Sequence, residues 1–162
     1  MTASKRTAKS QAEARDAPAA PLDMSPLAKI VGYPLRRAQL AVFEDFNRRF
    51  VALRLTPAQF SALALIGANP GRKQSDVAGA LGIQRPNFVA MVDELERRGL
   101  AERLRTPADR RSRALALTAA GAALLERAWR AQAEQEKAIE RLVGRESRAL
   151  LIAALARLAD LQ

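Results

Sequence analysis

The stretch that decides the fold is QSDVAGALGIQRPNFVAMVDELERRGLAERLRTPADRRSRALALT, Gln74 to Thr118. Residues 74–81 follow a short helical pattern, and residues 84–96 start a second helix after a Gly-Ile break. The segment Arg97–Leu100 closes the second helix. This order predicts two helices joined by a turn.

The residues that follow alternate apolar and polar side chains, which is the period of a β-strand. Two such strands are predicted at 100–105 and 113–118, with the polar segment 106–112 as the loop between them. Two helices, a turn and a basic hairpin in this order indicate a winged helix-turn-helix. Such a unit places one helix in a DNA groove and a loop beside it.

Helical patterns also flank this unit. A helix is predicted over Leu27–Phe50, with an interruption at Gly32-Tyr33-Pro34. Thr56-Pro57 is a strong start signal for a helix over Ala58–Ile66, which Gly67 stops. Two further helices are predicted after the wing, over 119–143 and 146–161.

The predicted fold is therefore mainly α with a small β-hairpin wing. We expect a disordered tail over 1–25, an N-terminal dimerisation helix over 26–55, a winged helix-turn-helix DNA-binding domain over 56–118, and C-terminal dimerisation helices over 119–162. The apolar stripes of the terminal helices favour burial across a two-fold axis, since paired half-sites raise affinity and specificity. The alternative is that these stripes pack on the core of their own chain.

Positive charge is concentrated in one part of the chain. The formal net charge of the 162 residues is +10, and residues 97–113 carry +5 of it. Seven arginines produce this local charge: Arg97, Arg98, Arg103, Arg105, Arg110, Arg111 and Arg113. Such focusing suits phosphate binding. The alternative is a solvated arginine-rich face.

Composition excludes several classes of site. The chain has no cysteine and no histidine, which rules out disulfides, Cys/His zinc sites and histidine-based catalysis. We expect no cofactor, no bound metal and no enzymatic activity. Absence of a long apolar run predicts no membrane partner, and residues 1–23 do not resemble a secretory signal, so a cytoplasmic location is expected.

The sequence resembles the MarR family of bacterial transcription regulators over roughly 27–161. The resemblance rests on LTPAQF at 55–60, QSDVA at 74–78, LERRGL at 95–100, PADRR at 107–111 and LTAAG at 117–121. It implies a homodimer that binds a palindromic DNA operator and is released when a small ligand binds between the DNA-binding lobe and the dimer helices.

The family's Asp-x-Arg wing element corresponds to Asp109 and Arg111, and implies that the arginine enters the minor groove while the aspartate orients it. The chain departs from the family pattern at Lys73, where a capping Thr or Ser is usual. It also departs at Val89 and Ala90, where polar or basic residues are common, which suggests fewer hydrogen bonds to bases.

The start of the second helix carries the predicted base contacts. Arginine suits guanine, and asparagine or glutamine suits adenine, in the major groove. Three residues there are predicted to read bases, and a fourth is predicted to touch a thymine methyl group: Gln84, Arg85, Asn87 and, for the methyl, Val89. The alternative is a solvent-exposed helix start. Phe88, Met91, Val92 and Leu95 recur at helical spacing and are predicted to be core.

Further DNA contacts are predicted from the wing and from the approach to the first helix of the motif. Arg110, Arg111 and Arg113 lie on or beside the hairpin loop, and Arg111 is the preferred minor-groove residue. Arg103, Arg105 and Arg113 are interpreted as phosphate contacts or solvated strand residues. Ser75 and Arg72 are predicted to touch the DNA backbone.

A ligand site is predicted from aromatic and cationic residues on the first long helix and the next one. These residues are Tyr33, Arg36, Arg37, Gln39, Phe43, Phe46 and Phe60. Such a lining suits an aromatic carboxylate, or its coenzyme A thioester with the arginines on the phosphates. The segment Tyr33–Arg37 is similar to that of members controlling aromatic-acid catabolism. The alternative is that the phenylalanines are dimer core and the arginines are surface charges.

Three classes of function remain. A dimeric, ligand-responsive repressor predicts salt-dependent binding to a specific palindrome of double-stranded DNA. A non-specific architectural DNA-binding protein predicts equal binding to every duplex. An enzyme could draw on Asp109, Glu94 and Glu96 as carboxylates, but the chain has no histidine or cysteine, and these carboxylates show no spacing signal.

Overall fold

The chain forms nine helices and strands of regular structure over the part described by a computed structural model, residues 21–106 and 109–161. The helices are α1 (Ser25–Ala28), α2 (Gly32–Phe50), α3 (Pro57–Ala68), α4 (Gln74–Ala80), α5 (Arg85–Arg97), α6 (Ala119–Val143) and α7 (Arg145–Ala159); the strands are β1 (Ala101–Thr106) and β2 (Asp109–Leu117). Two compact units are present, Met1–Gln39 and Leu40–Gln162. The predicted tail over 1–25 lies outside the described residues except for its last five positions.

The first unit contains α1 and the beginning of α2. The predicted break in the first helical region is confirmed: α1 ends at Ala28, and α2 starts at Gly32 with Pro34 in its first turn. Because proline has no N–H to donate, the first turn is where it is tolerated. The helix α2 continues to Phe50, and a short 3-10 turn, Val51–Leu53, follows it.

The start of α3 is fixed by a reciprocal cap. The Thr56 hydroxyl accepts from the N–H of Gln59 at 3.2 Å, and the N–H of Thr56 donates to Oε1 of Gln59 at 3.1 Å. This capping box satisfies donors that a helix leaves free at its first turn. The predicted end at Ile66 is wrong by two residues, since α3 continues through Gly67 to Ala68. Gly67 instead allows close packing, because a Cβ there would lie 2.9 Å from a side-chain methyl of Leu117.

The helix-turn-helix consists of α4 and α5, as predicted. Gly82 takes a positive φ of 63°, which suits a residue without Cβ in the turn between the helices. The N–H of Ile83 donates to the carbonyl of Ala78 at 3.0 Å and closes the end of α4. On α5, three of the four predicted core side chains are completely buried: Phe88, Val92 and Leu95.

The second hairpin strand is longer than the sequence pattern indicated, and the first is displaced by one residue. The ladder is antiparallel and pairs Ala101 with Leu117 and Arg105 with Arg113, and its register shifts between Arg105 and Thr106. The predicted loop over 106–112 is too long, because β1 includes Thr106 and β2 starts at Asp109. The backbone continues in extended pairing through polar residues that alternation alone assigned to a loop.

A third extended segment joins the base of the wing, and the sequence did not predict it. The N–H of Gly71 donates to the carbonyl of Leu115, and the N–H of Leu115 donates to the carbonyl of Arg72, both at 2.9 Å. Lys73 forms an isolated antiparallel bridge with Ala114. The residues just before α4 are therefore attached directly to β2.

The junction between wing and α6 is closely packed. The Thr118 hydroxyl donates to the carbonyl of Gly99 at 2.5 Å and accepts from the N–H of Gly121 at 3.0 Å, which caps α6. The backbone of Leu100 lies directly against Gly121, so that a Cβ at Gly121 would lie 1.8 Å from the carbonyl oxygen of Leu100. Only glycine fits at this position.

The core of the second unit lies between the end of α2, α3, α5, β2 and α6. Four aromatic rings form its densest part: Phe46 stacks on Phe50 with centroids 3.7 Å apart, Phe60 meets Phe50 edge-on at 5.3 Å, and Trp129 meets Phe60 edge-on at 5.0 Å. Gln135 is buried beside them and donates to the carbonyl of Val42 at 2.8 Å. This bond joins α6 to the second-unit part of α2.

The last helix, α7, has no buried residue within a single chain. Gly144, with a φ of 82°, separates it from α6. Arg148 of α7 donates to Oε2 of Glu136 on α6, and this bond raises the pKa of the guanidinium above its usual value. Among the described residues, no single helix is long and apolar enough to cross a membrane.

Replacing Gly121 with alanine is expected to lower the free energy of unfolding by about 2–3 kcal/mol, because the new methyl group overlaps the Leu100 backbone. Urea unfolding at a fixed protein concentration measures the change. Gly79→Ala is the matched control: nothing lies within 4 Å of its Cβ position, and we expect stabilisation of about 0.5–1 kcal/mol. Equal effects at both sites would contradict the close approach.

Candidate nucleic-acid interface

One face of α5 is buried and the other is open, which is what a helix that inserts into a groove requires. Phe88, Val92 and Leu95 hold the inner face in the core. Arg85, Val89 and Asp93 recur every four residues and are all exposed. Since residues four apart lie on one face of a helix, these side chains form a single outward row. We call α5 the reader helix.

The first turn of the reader helix brings the predicted base-contact residues together. Gln84 is the N-cap residue, with extended ψ of 135°, and Pro86 occupies the first turn. Gln84, Arg85, Asn87 and Val89 are exposed. Pro86 fixes the backbone without costing a helical hydrogen bond. The turn therefore presents a guanidinium and two carboxamides to solvent from a fixed start.

A groove of about 590 Å³ lies beside this row. Its lining comes from the start of α4, the outward face of the reader helix and β1: Lys73, Gln74, Ser75, Ala78, Arg85, Phe88, Val89, Asp93, Glu96 and Arg103. The lining contains both cations and carboxylates. The surface is therefore not uniformly basic, contrary to what the local charge of the sequence suggested.

The contacts of Arg103 explain much of the difference between the basic surface expected from the sequence and the mixed charge of the groove. Arg103 was interpreted as a phosphate contact or a solvated strand residue, but its side chain is only 17% exposed and bonds within the chain. Nε donates to Oε1 of Gln74 at 2.9 Å, and Nη1 lies 2.7 Å from Oδ1 of Asp93 and also pairs with Glu96. Nη2 donates to the carbonyl of Val89 at 3.4 Å. We call Arg103, Gln74, Asp93 and Glu96 the Arg103 cluster.

The sequence carried one signal for this burial. Side chains two apart on a strand lie on the same face of the sheet. Arg103 is two residues after Ala101, which is buried, so the Arg103 side chain also faces inward. Leu104, which the apolar pattern favoured for the inside, is 41% exposed. The pairing with Glu96 was not visible, because it depends on the tight turn at Gly99, where φ is 66°.

Arg98 also bonds within the chain and ties the end of the reader helix to the segment before α3. Its guanidinium donates to the carbonyl of Arg54 at 2.7 Å and to that of Leu53 at 3.2 Å. Arg54 has a left-handed φ of 51°, unusual for a residue with a Cβ. Arg97 forms a bidentate ion pair with Glu94, in which Nε donates to Oε2 at 2.8 Å and Nη2 donates to Oε1 at 2.7 Å.

The remaining predicted DNA contacts fall partly outside the described side chains. Asp109, Arg110, Arg111 and Arg113 have their backbones in β2, but their side chains are outside the description, and their roles stay predictions. Ser75 is exposed, and its hydroxyl donates to Oδ1 of Asp76 at 3.2 Å.

Arg72 is exposed as well, and it lines a smaller cavity of about 160 Å³. Asn69 and Asp76 contribute the other polar side chains of that cavity. Arg72, just before α4, and Ser75, in its first turn, are thus both accessible on the surface.

The predicted ligand residues are divided between the two units. In the first unit, Arg36, Arg37 and Gln39 are exposed and Tyr33 is half-buried. In the second unit, Phe43 is exposed, whereas Phe46 and Phe60 are buried in the aromatic core. Phe46 and Phe60 therefore stabilise the chain's own core, and the ligand-lining role of the set stays a prediction.

Ion pairs surround the second-unit part of α2. The Arg49 guanidinium donates to Asp45 at 2.6 Å and holds the pKa of that carboxyl below its usual value. The pKa of Glu134 on α6 is lowered mainly by its hydrogen bond from Lys137. These groups remain charged at neutral pH. Among the described residues, no cluster of carboxylates suited to a metal is present.

Comparison with known proteins places this chain in a family. The sequence pattern of the MarR family matches residues 55–112. A putative transcriptional regulatory protein for the hcr operon of Thauera aromatica is 35% identical over 129 residues, which cover 79% of this chain and 78% of the relative. The chain belongs to the MarR family of transcription regulators. The family resemblance and the winged-helix fold expected from the sequence are thereby confirmed.

Solved structures of the transcriptional repressor CouR are also similar to this chain. CouR bound to a 23-mer DNA duplex is 51% identical with a TM-score of 0.84, covering 86% of this chain and 99% of that one. CouR bound to p-coumaroyl-CoA is 48% identical with a TM-score of 0.81, covering 88% of this chain and all of the other. The likeness extends over almost the whole of both chains.

Proposed function

We propose that this MarR-family regulator is a dimeric repressor that binds a palindromic DNA operator and is released by an aromatic acid or its coenzyme A thioester. The observation that carries the proposal is the reader helix. Its inner face is locked into the core, and Arg85, Asn87 and Val89 are exposed from its first turns. These are side-chain types that recognise guanine, adenine and the thymine methyl group in a major groove.

The likeness to CouR supports both the DNA and the ligand. At 51% and 48% identity over nearly the full chains, CouR is solved with a DNA duplex in one structure and with p-coumaroyl-CoA in another. An aromatic acyl thioester combines an apolar ring with phosphates. Arg36 and Arg37 are exposed cations of the kind that bind phosphates.

The apolar surface of a single chain supports the dimer. On α7, five large apolar side chains are exposed: Leu150, Leu151, Ile152, Leu155 and Leu158. In the first unit, Ile30 is 56% exposed and Val31 is 66% exposed. Apolar patches of this kind on an isolated chain mark protein–protein contacts. A dimer also supplies two reader helices for two half-sites.

Selection from a random-sequence duplex library tests the DNA proposal. Wild-type protein is expected to enrich a palindrome, and its affinity should fall steeply with salt. Arg85→Ala is expected to weaken binding to the selected duplex about tenfold or more and to relax the preference at one base pair per half-site.

Arg127→Ala is the matched control, because Arg127 is an exposed arginine on α6 outside the motif. It should leave the Kd within about twofold. Binding of equal strength to every duplex would favour a non-specific architectural protein over a repressor.

The dimer is tested on α7. Replacing Leu151 and Leu155 with serine removes two apolar side chains from one face of the helix and is expected to shift the protein toward monomer. Replacing Ala153 and Ala156, on the opposite side of the helix, with serine is the control. Sedimentation equilibrium measures the association. If the variant with serine at both leucine positions stays as dimeric as the control, dimerisation through α7 is contradicted.

Ligand release is tested with p-coumaroyl-CoA, p-coumarate and free coenzyme A added separately to the complex with the selected duplex. The thioester is expected to release the DNA at the lowest concentration, because it alone supplies both the ring and the phosphates. Replacing Arg36 and Arg37 with glutamine should raise the concentration needed by about tenfold, as charge-assisted bonds to phosphate are lost. Gel mobility of the duplex provides the measurement. Identical responses to all three compounds would reject the thioester.

A further inference from the structure

The Arg103 cluster connects every part of the helix-turn-helix and the wing. Arg103 itself lies on β1, Gln74 is the first residue of α4, and Asp93 and Glu96 lie on the reader helix. The backbone N–H of Arg103 also donates to Oε1 of Glu96 at 2.8 Å. Glu96 thus bonds both the main chain and the side chain of one strand residue.

The position of Arg103 in the sheet brings it close to the elements before and after the hairpin. It pairs with Leu115 of β2, and Leu115 is fully buried and bonded to Gly71 and Arg72 before α4. Arg103 therefore lies at the point where the wing, the approach to α4 and the reader helix meet. Its contacts therefore join the reader helix and the start of α4 to the hairpin.

Arg103 is poorly suited to bind a phosphate directly. All three of its nitrogens already have partners: Nε has Gln74, Nη1 has Asp93 and Glu96, and Nη2 has the carbonyl of Val89. Two carboxylates face one guanidinium, so the cluster has a net negative charge. Such a cluster repels the DNA backbone rather than attracting it.

We propose that Arg103, held by Glu96 and Gln74, is a positioning residue that fixes the reader helix relative to the wing, so that both engage DNA at once. The inference rests on the proposed DNA-binding function. It makes a prediction opposite in sign to that of simple electrostatics. Removing a carboxylate from a DNA-facing groove tightens binding if charge alone acts, whereas removing Glu96 weakens binding if position matters.

The test uses the full chain and a duplex selected by the wild-type protein. In Glu96→Gln, one of the two carboxylate oxygens becomes an NH₂ group that faces an N–H donor of Arg103. A bond to a charged group is lost, and we expect the Kd for the duplex to rise about tenfold.

Glu94→Gln is the matched control. It removes the same charge two residues away on the same helix, and Glu94 contacts Arg97 rather than Arg103. Its Kd is expected to stay equal or to fall slightly. If Glu96→Gln also binds equally or more tightly, the positioning role is overturned.

Arg103→Lys gives a second, independent arm. Lysine keeps the positive charge but lacks the planar fork that bonds several partners at once. A phosphate contact would tolerate it, whereas a positioning residue would not, and we expect about a tenfold rise in Kd. Wild-type affinity in a folded Arg103→Lys protein would overturn the inference.

Dimethyl sulfate protection separates positioning from general loss of stability. Methylation of guanine N7 reports the major groove, and methylation of adenine N3 reports the minor groove. At protein concentrations giving equal occupancy, Glu96→Gln and Arg103→Lys are expected to lose protection in the minor groove relative to the major groove. Proportional loss in both grooves would contradict a change of angle. If the wild type enriches no duplex, the proposed DNA function fails first, which is distinct from failure of these variants alone.

Discussion

The burial of Phe88, Val92 and Leu95 is the constraint on which the exposed face of the reader helix depends. All three side chains are completely shielded from solvent, and each contributes about 1.5–3 kcal/mol through burial. They leave the helix no freedom to rotate about its axis without exposing a large apolar ring. The row formed by Arg85, Val89 and Asp93 is outward for that reason. The direction in which this row faces is therefore a consequence of core packing.

Part of the positive charge that the sequence concentrates at 97–113 is paired within the chain. Three arginines between 97 and 113 have described side chains, and all three bond inside the chain: Arg97 to Glu94, Arg98 to the carbonyls of Leu53 and Arg54, and Arg103 to its cluster. Their guanidinium groups thus already have partners within the chain. Arg85 and Arg72, by contrast, are exposed.

Local pattern was sufficient to predict most of the helices and strands. Thr56 and Thr118 marked helix starts correctly because a hydroxyl that caps the first turn acts over three residues. Helical spacing also identified Phe88, Val92 and Leu95 as core. These signals depend only on residues that are close in sequence, so the sequence of one chain is enough to detect them.

The features that the sequence did not predict join distant residues. Arg103 meets Gln74 across 29 positions, and Arg98 meets Arg54 across 44. Gln135 reaches the carbonyl of Val42 across 93. Nothing in periodicity selects such partners, because they are determined by how the elements pack in three dimensions. The sequence also left undecided whether Phe46 and Phe60 are core or ligand-lining residues. An aromatic stripe on a helix suits both equally.

The edge-on contact between Trp129 and Phe60 has a practical consequence. Trp129 is the one tryptophan of the chain and is 51% exposed, with its ring centroid 5.0 Å from that of Phe60. Its indole emission therefore comes from a single place, at the boundary between the aromatic core and water. Any event that covers or uncovers this boundary shifts the emission maximum, so the native chain carries its own optical reporter and needs no attached dye.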